Sequence, residues 1–196
     1  MRFGTRVNHI DADKDLFEIA LNEKNEIIRE AAVYKIKKQY YLYRLVKEST
    51  DELVRLIAVD RLKNEEYLKK LAKTVTDKTL LVLILEKIDD TEFLERFAGN
   101  DDLNIQRAVV KKISNQNILK HLALTSSDDL VRKRAVERIT DEYFLKDVFL
   151  SDPSFLVQST ALKHITSEDI LSELRLTVPD ELIPTLAEHI SETIDH

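Results

Sequence analysis

A repeat of 25–26 residues runs through almost the whole chain and constrains its fold more than any other feature. One column of leucines recurs in steps of 26 residues with a single step of 25, at Leu16, Leu42, Leu68, Leu94, Leu119, Leu145 and Leu171. Three further apolar columns begin at Val7, Ile10 and Ile28 and share both the period and the one-residue deletion. Such a period is typical of architectures in which small units stack and bury a continuous core.

Each repeat contains two amphipathic segments at helical spacing. Val54, Ala58, Val59 and Leu62 lie at i, i+4, i+5 and i+8, and a second apolar set starts after a break at Leu68. Polar residues that favour helix N-caps precede the first segments, at Asn25, Asp51, Asp77, Asp102, Asp128, Ser154 and Asp180, and the second segments, at Asn64, Asp90, Asn115, Asp141 and Ser167. We therefore expect a helix of about 11 residues, a tight turn and a helix of about 9 in every repeat.

The composition supports an all-helical chain. The 196 residues include only 2 glycines and 3 prolines, too few for the turns of sandwiches, barrels and phosphate-binding loops. Cysteine is absent, which excludes disulfides and thiolate chemistry. We expect a single domain made of a half-repeat (2–24), six repeats (25–50, 51–76, 77–101, 102–127, 128–153 and 154–179) and a closing helix (180–194) whose outer face is polar at Glu188 and Ser191.

The segment that begins Asp152-Pro153 and continues through Val157, Gln158 and Ala161 resembles the Asp-Pro-x-x-x-Val-Arg-x-x-Ala signature of HEAT-like repeats, of the short kind found in phycobilin-lyase-type proteins and leucine-rich-repeat variants. Similar half-signatures start at Ile28, Val54 and Val131. The resemblance implies a right-handed α-solenoid of about seven two-helix repeats that binds partners on its concave face. Where the family has arginine, this chain has Leu81, Gln106 and Gln158, which puts a continuous arginine ladder in doubt.

Two charged columns have more than one interpretation. Arg29, Arg55 and Arg132 follow a cap residue by four positions, which favours a structural ion pair that staples adjacent repeats; contact with a ligand is the alternative. Every repeat also has a basic residue just before its isoleucine column, at His9, Lys35, Arg61, Lys87, Lys112, Arg138 and His164. These cations either offset the helix dipole in each repeat or form a positive stripe for an acidic partner.

Positions that differ between repeats are the candidates for a binding surface. By analogy with the family, we expect the first helices to line a groove that is apolar in the repeats at 51 and 77 and basic in the next two. Its residues would be Tyr34, Leu56, Ile57, Asp60, Val82, Leu83, Glu86, Arg107, Lys111, Lys133 and Arg134. Such a groove would suit an amphipathic segment with an acidic end. The alternative is that packing between repeats buries these side chains.

The most favoured function is therefore a non-catalytic scaffold that binds a protein or peptide, with no cofactor and no metal. The net charge of −6 argues against a nucleic-acid or membrane partner. The basic, tyrosine-rich run from Tyr34 to Arg44 keeps single-stranded nucleic acid as an alternative. His9, His121, His164, His189 and His196 form no i, i+4 pair, and no motif of a known catalytic site occurs, so no enzyme is expected.

The resemblance leaves two further alternatives: an alkyl-purine glycosylase-like DNA-repair protein, and a chaperone-like helper for a cofactor or chromophore. The longest apolar run, at residues 80–85, is far shorter than the roughly 18 residues of a membrane span. The start of the sequence leads into no apolar stretch of signal-peptide type. We therefore expect a cytoplasmic protein; the sequence indicates no oligomeric state.

Overall fold

The computed structural model describes residues 12–194 and is helical throughout, with no strand among these residues. The helices are Asp13–Asn22 (α1), Glu26–Lys35 (α2), Gln39–Glu48 (α3), Glu52–Arg61 (α4), Glu65–Ala72 (α5), Lys78–Glu86 (α6), Thr91–Glu95 (α7), Leu103–Val110 (α8), Gln116–Thr125 (α9), Asp129–Val136 (α10), Glu142–Ser151 (α11), Phe155–Lys163 (α12), Glu168–Thr177 (α13) and Ile183–Ile194 (α14). A short 3₁₀ helix, Asp180–Leu182, precedes α14. None of these helices is both long and apolar enough to cross a membrane.

The chain divides into two compact units, Met1–Asp90 and Thr91–His196, which we call unit 1 and unit 2. In unit 1, α1, α3 and α5 pack in sequence as one layer, and α2, α4 and α6 pack in sequence as another. In unit 2, α9, α11 and α13 form one layer, and α8, α10 and α12 with α14 form the other. The even-numbered helices are the predicted first helices of the repeats, and the odd-numbered helices are the second helices. The all-α class is confirmed for the described residues.

Nearly all of the predicted apolar columns lie in the core. The leucines from Leu16 to Leu171 are all buried, as are the described members of the columns that begin at Val7 and Ile10 up to the repeat at 154. Val7 and Ile10 themselves lie outside the described residues. The exception is Ile183, which is 48% exposed, whereas the six equivalent residues before it are buried. Together with Val178, Leu186, Ala187 and Ile190 it lines an open cleft of about 420 Å³, beside the exposed Glu188 and Ser191.

Side-chain caps start most of the helices where the sequence predicts them. For example, Asp51 accepts hydrogen bonds from the backbone N–H groups of Leu53 and Val54, and Asn64 accepts one from Tyr67. The caps predicted at Ser154 and Ser167 make no such bond. The Ser154 hydroxyl donates to the Asp129 carboxylate at 3.3 Å instead, because that acceptor lies within reach on α10.

The connections between helices explain why the chain needs so little glycine. Half of the helices end at a residue with an extended backbone, such as Glu23, Ser49 or Ser126, with φ near −70° and ψ near 130°. Among residues 12–194 no residue has a positive φ, so no connection requires the left-handed conformation that favours glycine.

The second helix of the repeat at 77–101 is shorter than expected. Helix α7 has only five residues, and the chain then continues as tight turns in which Phe97 donates to the Leu94 carbonyl and Ala98 to that of Glu95. This repeat is also the one with the 25-residue step, so the missing residue shortens the helix while Phe93, Leu94 and Ala98 remain buried.

Candidate functional site

In unit 1, Arg29 and Arg55 pair with the N-cap aspartate of the following repeat, not with the cap of their own helix. Arg29 donates through Nε to the Asp51 carboxylate at 2.9 Å, and its Nη1 donates to the Glu23 and Lys24 carbonyls at 2.9 and 3.0 Å. Arg55 forms a looser ion pair, with Nη2 3.6 Å from the Asp77 carboxylate, and its buried Nε has no hydrogen-bond partner. The predicted staple between adjacent repeats is confirmed, but the partner in sequence is different. The hydrogen bond from Arg29 lowers the pKa of Asp51.

In unit 2, Arg132 is more buried than Arg29 and Arg55 and binds a different kind of aspartate, the C-cap residue Asp152 at the end of α11. Arg132 donates to both carboxylate oxygens of Asp152, at 2.8 and 3.0 Å, and to the Ser126 carbonyl at 3.0 Å. Gln106, which replaces an arginine, donates to the Asn100 carbonyl at 2.8 Å and accepts from the Ser126 hydroxyl. The neighbouring Arg107 forms the ion pair with Asp128 instead. At this one position, therefore, Arg107 makes the ion pair in place of the missing arginine, whereas Leu81 is a buried apolar residue.

The basic column also joins repeats. Arg61 donates to the carbonyls of Val33, Tyr34 and Ile36 at the end of α2, and Lys87 donates to the Asp60 carbonyl at 2.6 Å. In unit 2, Arg138 donates to the Ile113 carbonyl at 2.7 Å. These cations satisfy carbonyls at the C-terminus of the preceding first helix. For Arg61, Lys87 and Arg138 the structural interpretation is the one that the contacts support.

A third interlocking position was not expected. The first residue of several second helices reaches the loop of the next repeat: Gln39 accepts from the backbone N–H of Lys63 and Asn64, and Glu142 accepts from those of Thr166 and Ser167. Gln116 accepts likewise from Thr140. In the sequence these positions are polar residues at a helix start, which fits any helix. Only their recurrence at the repeat period distinguishes them.

With these polar columns engaged in structure, the exposed face of the first helices is the candidate binding surface. In unit 1 this face has an apolar strip formed by five side chains on α2, α4 and α6: Ile27, Leu53, Leu56, Val82 and Leu83. Ile27, Leu53 and Leu83 are 68%, 46% and 36% exposed, and Leu56 and Val82 are half-buried. Ile27 and Leu53 hold the same position in successive repeats, one helical turn before that of Leu56 and Val82. Because α2 packs on α4 and α4 on α6, the strip crosses three adjacent helices.

The apolar strip is bordered mainly by acidic side chains. Glu26 and Glu52 are exposed in the first turns of α2 and α4, Glu30 is half-buried, and Asp60 and Glu86 are exposed near the ends of α4 and α6. Lys78 is the basic residue at the start of α6. Arg29 and Arg55 of the same helices form ion pairs with Asp51 and Asp77, so their positive charge is already offset by these carboxylates.

Each unit has its own part of the predicted groove. In unit 1, Tyr34, Asp60, Leu83 and Glu86 are exposed and Leu56 and Val82 are half-buried, but Ile57 is only 7% exposed. Ile57 therefore belongs to the core, because its position on α4 faces the adjacent helices, and its inclusion in the groove was wrong.

In unit 2, Arg107, Lys111 and Arg134 are exposed and Lys133 is half-buried. Arg107 and Lys133 are paired with Asp128 and Glu137, so part of this positive charge is neutralised within the unit.

Sequence reasoning missed Ile27 and Leu53, the most exposed members of the apolar strip. Their column becomes Thr79 and Asn104 in the next repeats and then Leu130 and Leu156. A column that alternates in this way carries no core signal. Ile27 and Leu53 could have been recognised as surface residues because each lies two positions after a cap, outside the buried face of its helix.

The tyrosines of the basic run do not form one platform. Tyr34 lies on α2 with the Arg61 guanidinium 6.0 Å from its ring centre, whereas Tyr40 and Tyr43 lie on the second helix α3. Tyr43 stacks on Tyr67 with ring centres 4.8 Å apart. Each of the three rings therefore contacts a neighbouring ring or cation, and such contacts are ordinary surface packing.

Among residues 12–194, no three histidine or acidic side chains come close enough together to hold a metal ion. His121 and His164 are exposed, and His189 lies 3.0 Å from the Ile165 carbonyl. His9 and His196 lie outside the described residues. No described histidine therefore belongs to such a group.

The fold and this surface define an all-α protein of paired, interlocked helices with an exposed apolar strip. A scan against protein-family models matches none, and a search of curated proteins also finds no match. Among solved structures, the chain is similar to the X-ray structure of YibA from Escherichia coli, a structural-genomics target, with a TM-score of 0.56 and 19% identity over 100% of this chain and 96% of that one. At this identity the likeness concerns the fold alone.

Proposed function

We propose that the protein is a non-catalytic scaffold of HEAT-like repeats, arranged as an α-solenoid, that binds a protein or peptide on the exposed face of its first helices. The observation that carries this proposal is the apolar strip of unit 1. Its exposed members lie on the surface of adjacent helices, where they contribute little to the core. An exposed apolar patch bordered by polar residues is the usual mark of a protein-interaction site.

The polar columns support this assignment because their contacts are structural, which leaves the exposed face of the first helices as the candidate binding surface. Arg29 donates to a carboxylate of the next repeat, and Arg61 and Arg132 donate to carbonyls of the preceding one. Side chains that hold the repeats together recur in most of them, whereas the residues of the apolar strip change from one repeat to the next. Variation on a regular frame is how repeat proteins make distinct binding surfaces.

A peptide selection tests the proposal. A library of peptides displayed on phage is selected against the full chain, and the enriched peptides are then measured against two double variants. Ile27→Ser with Leu53→Ser removes apolar surface from the strip. Leu124→Ser with Leu176→Ser removes comparable surface from the second helices of unit 2, where these leucines are 65% and 88% exposed.

We expect the enriched peptides to lose about tenfold or more in affinity for the strip variant, the equivalent of roughly 1.4 kcal/mol, and to bind the control variant as they bind the wild type. Equal losses in both variants, or none in either, would contradict the proposal. A salt series separates it from nucleic-acid binding, whose affinity falls by about 10³–10⁵ between about 50 and 200 mM salt when six to ten phosphates are contacted.

A further inference from the structure

The border of the apolar strip indicates which peptides it selects. Resting on the proposed function, we propose that unit 1 binds an amphipathic segment whose apolar face is flanked by lysine or arginine. The sequence alone favoured an acidic end for such a segment, on account of Arg107, Lys111, Lys133 and Arg134. Those residues belong to unit 2, whereas the apolar side chains lie in unit 1 among carboxylates.

The contacts explain how this face is acidic although its helices are nearly neutral in formal charge. Three of the four basic side chains of α2 and α4 turn towards neighbouring repeats: Arg29 to Asp51, Arg55 to Asp77 and Arg61 to carbonyls of α2. The fourth, Lys35, is half-buried at the end of α2. Lys87, just after α6, donates to the Asp60 carbonyl. The acidic side chains Glu26, Glu52 and Asp60 are exposed on the same helices.

An amphipathic helix presents an apolar stripe with charges along both edges. Laid on the strip, its apolar residues would cover Leu53, Leu56 and Val82, and its edges would meet the acidic border on either side. Lysine or arginine at these edges is complementary to the border, whereas glutamate there is repelled. The charge complementarity therefore selects a basic partner and disfavours an acidic one.

Two synthetic peptides test this directly. Both have the same length and the same leucines at helical spacing; one has lysine at its polar positions and the other has glutamate. Binding of the fluorescently labelled peptides to the full chain is followed by anisotropy at about 0.15 M salt, where charges act only over about 8 Å. We expect the lysine peptide to bind at least tenfold more tightly.

Two variants with equal changes in net charge make the test local. Glu26→Gln, Glu52→Gln and Asp60→Asn neutralise the border of the strip. Glu168→Gln, Asp169→Asn and Glu181→Gln neutralise three exposed acids of unit 2. Because exposed charge pairs each contribute modestly, the first variant should weaken the lysine peptide by about tenfold in total, and the second by less than twofold.

The outcomes separate the two proposals. If both peptides bind equally well and the Ile27→Ser, Leu53→Ser variant weakens both, the binding function stands and the charge preference is wrong. If the lysine peptide binds that variant as well as it binds the wild type, the attraction is non-specific and the inference is overturned. If neither peptide binds, the strip does not take amphipathic segments and both proposals fail for this surface.

Discussion

The buried ion pair between Arg132 on α10 and Asp152 at the end of α11 allows the contribution of one column arginine to be measured. The two side chains are 10% and 5% exposed, and the guanidinium makes three hydrogen bonds, two to Asp152 and one to the Ser126 carbonyl. Their pairing raises the pKa of Arg132, so the arginine is charged at every practical pH. In Arg132→Ala, the Asp152 carboxylate would keep the backbone N–H of Ser154 but lose its cation.

Removing one partner of a buried pair typically costs about 3–5 kcal/mol of unfolding free energy. A cleft of about 270 Å³ borders the pair. It gives water access to the abandoned carboxylate, so we expect a loss near the lower limit, about 3 kcal/mol. Lys133→Ala is the matched control: it removes the same charge from the neighbouring residue of α10, where the ion pair with Glu137 spans one helical turn and is partly exposed. That pair should contribute only about 0.3–0.5 kcal/mol.

Urea unfolding followed by circular dichroism measures both losses. Amide hydrogen exchange of α10 and α11 is measured in parallel, because a chain with two compact units need not unfold in one step. Replacing both members, Arg132→Met with Asp152→Leu, should recover at least half of the loss, since no buried charge then remains unpaired. Similar losses for Arg132→Ala and Lys133→Ala would refute the reasoning, as would a double variant less stable than Arg132→Ala.

Three further predictions concern pH, packing and capping. The hydrogen bond from Arg29 lowers the pKa of Asp51; burial raises that of Asp128, but Arg107 and the backbone N–H of Val131 outweigh it and the net shift is downward. Both folded-state pKa values lie below the unfolded value of about 3.9, so the ionised carboxylates stabilise the folded state above about pH 4. This contribution to the unfolding free energy is lost as the pH falls through the folded-state pKa values. Urea unfolding of Asp51→Asn with Asp128→Asn should therefore show an unfolding free energy that depends less steeply on pH in acid than that of the wild type. Ile57→Ala should cost about 2–5 kcal/mol, whereas Leu83→Ala, on the exposed strip, should cost under about 1 kcal/mol; equal losses in thermal unfolding would contradict the assignment of Ile57 to the core. Asp51→Ala should cost about 1–2 kcal/mol because it removes a cap that also binds Arg29, whereas Ser154→Ala should change the unfolding free energy by less than about 0.5 kcal/mol, since this serine makes no cap bond.

The helices and their buried faces could be predicted from the sequence because they depend on local rules. A residue such as Leu68 is buried in every repeat for the same reason, and Asp51 or Asn64 caps a helix through its own nearby backbone. These signals need only the spacing along the chain.

Contacts between repeats were harder to predict because they depend on which neighbour lies within reach. Arg55 follows Asp51 at the spacing of a helical ion pair, yet it pairs with Asp77 in the next repeat. Gln39 and Glu142 look like ordinary helix starts, but their side chains reach loops 24 and 25 residues further on. The period shows that neighbours exist; the direction of each side chain is a property of the packed structure.

The binding surface was predicted in part for the same reason. The face that contains Leu56, Val82 and Leu83 was identified because its residues differ between repeats and by analogy with the family. Ile57 is only one residue after Leu56, but this step turns its side chain about 100° round the helix and into the core. A further column on the exposed side, with Ile27 and Leu53, holds the most exposed apolar residues of the strip.

Methyl NMR of the full chain with the lysine peptide tests the central proposal most directly, because the strip consists of isoleucine, leucine and valine side chains. We expect the methyl signals of Ile27, Leu53, Leu56, Val82 and Leu83 to shift together as peptide is added, with small changes at Leu124 and Leu176. Shifts concentrated at Leu124, Leu176 or other methyl groups outside unit 1, with the strip unchanged, would contradict the assignment of this face as the binding surface.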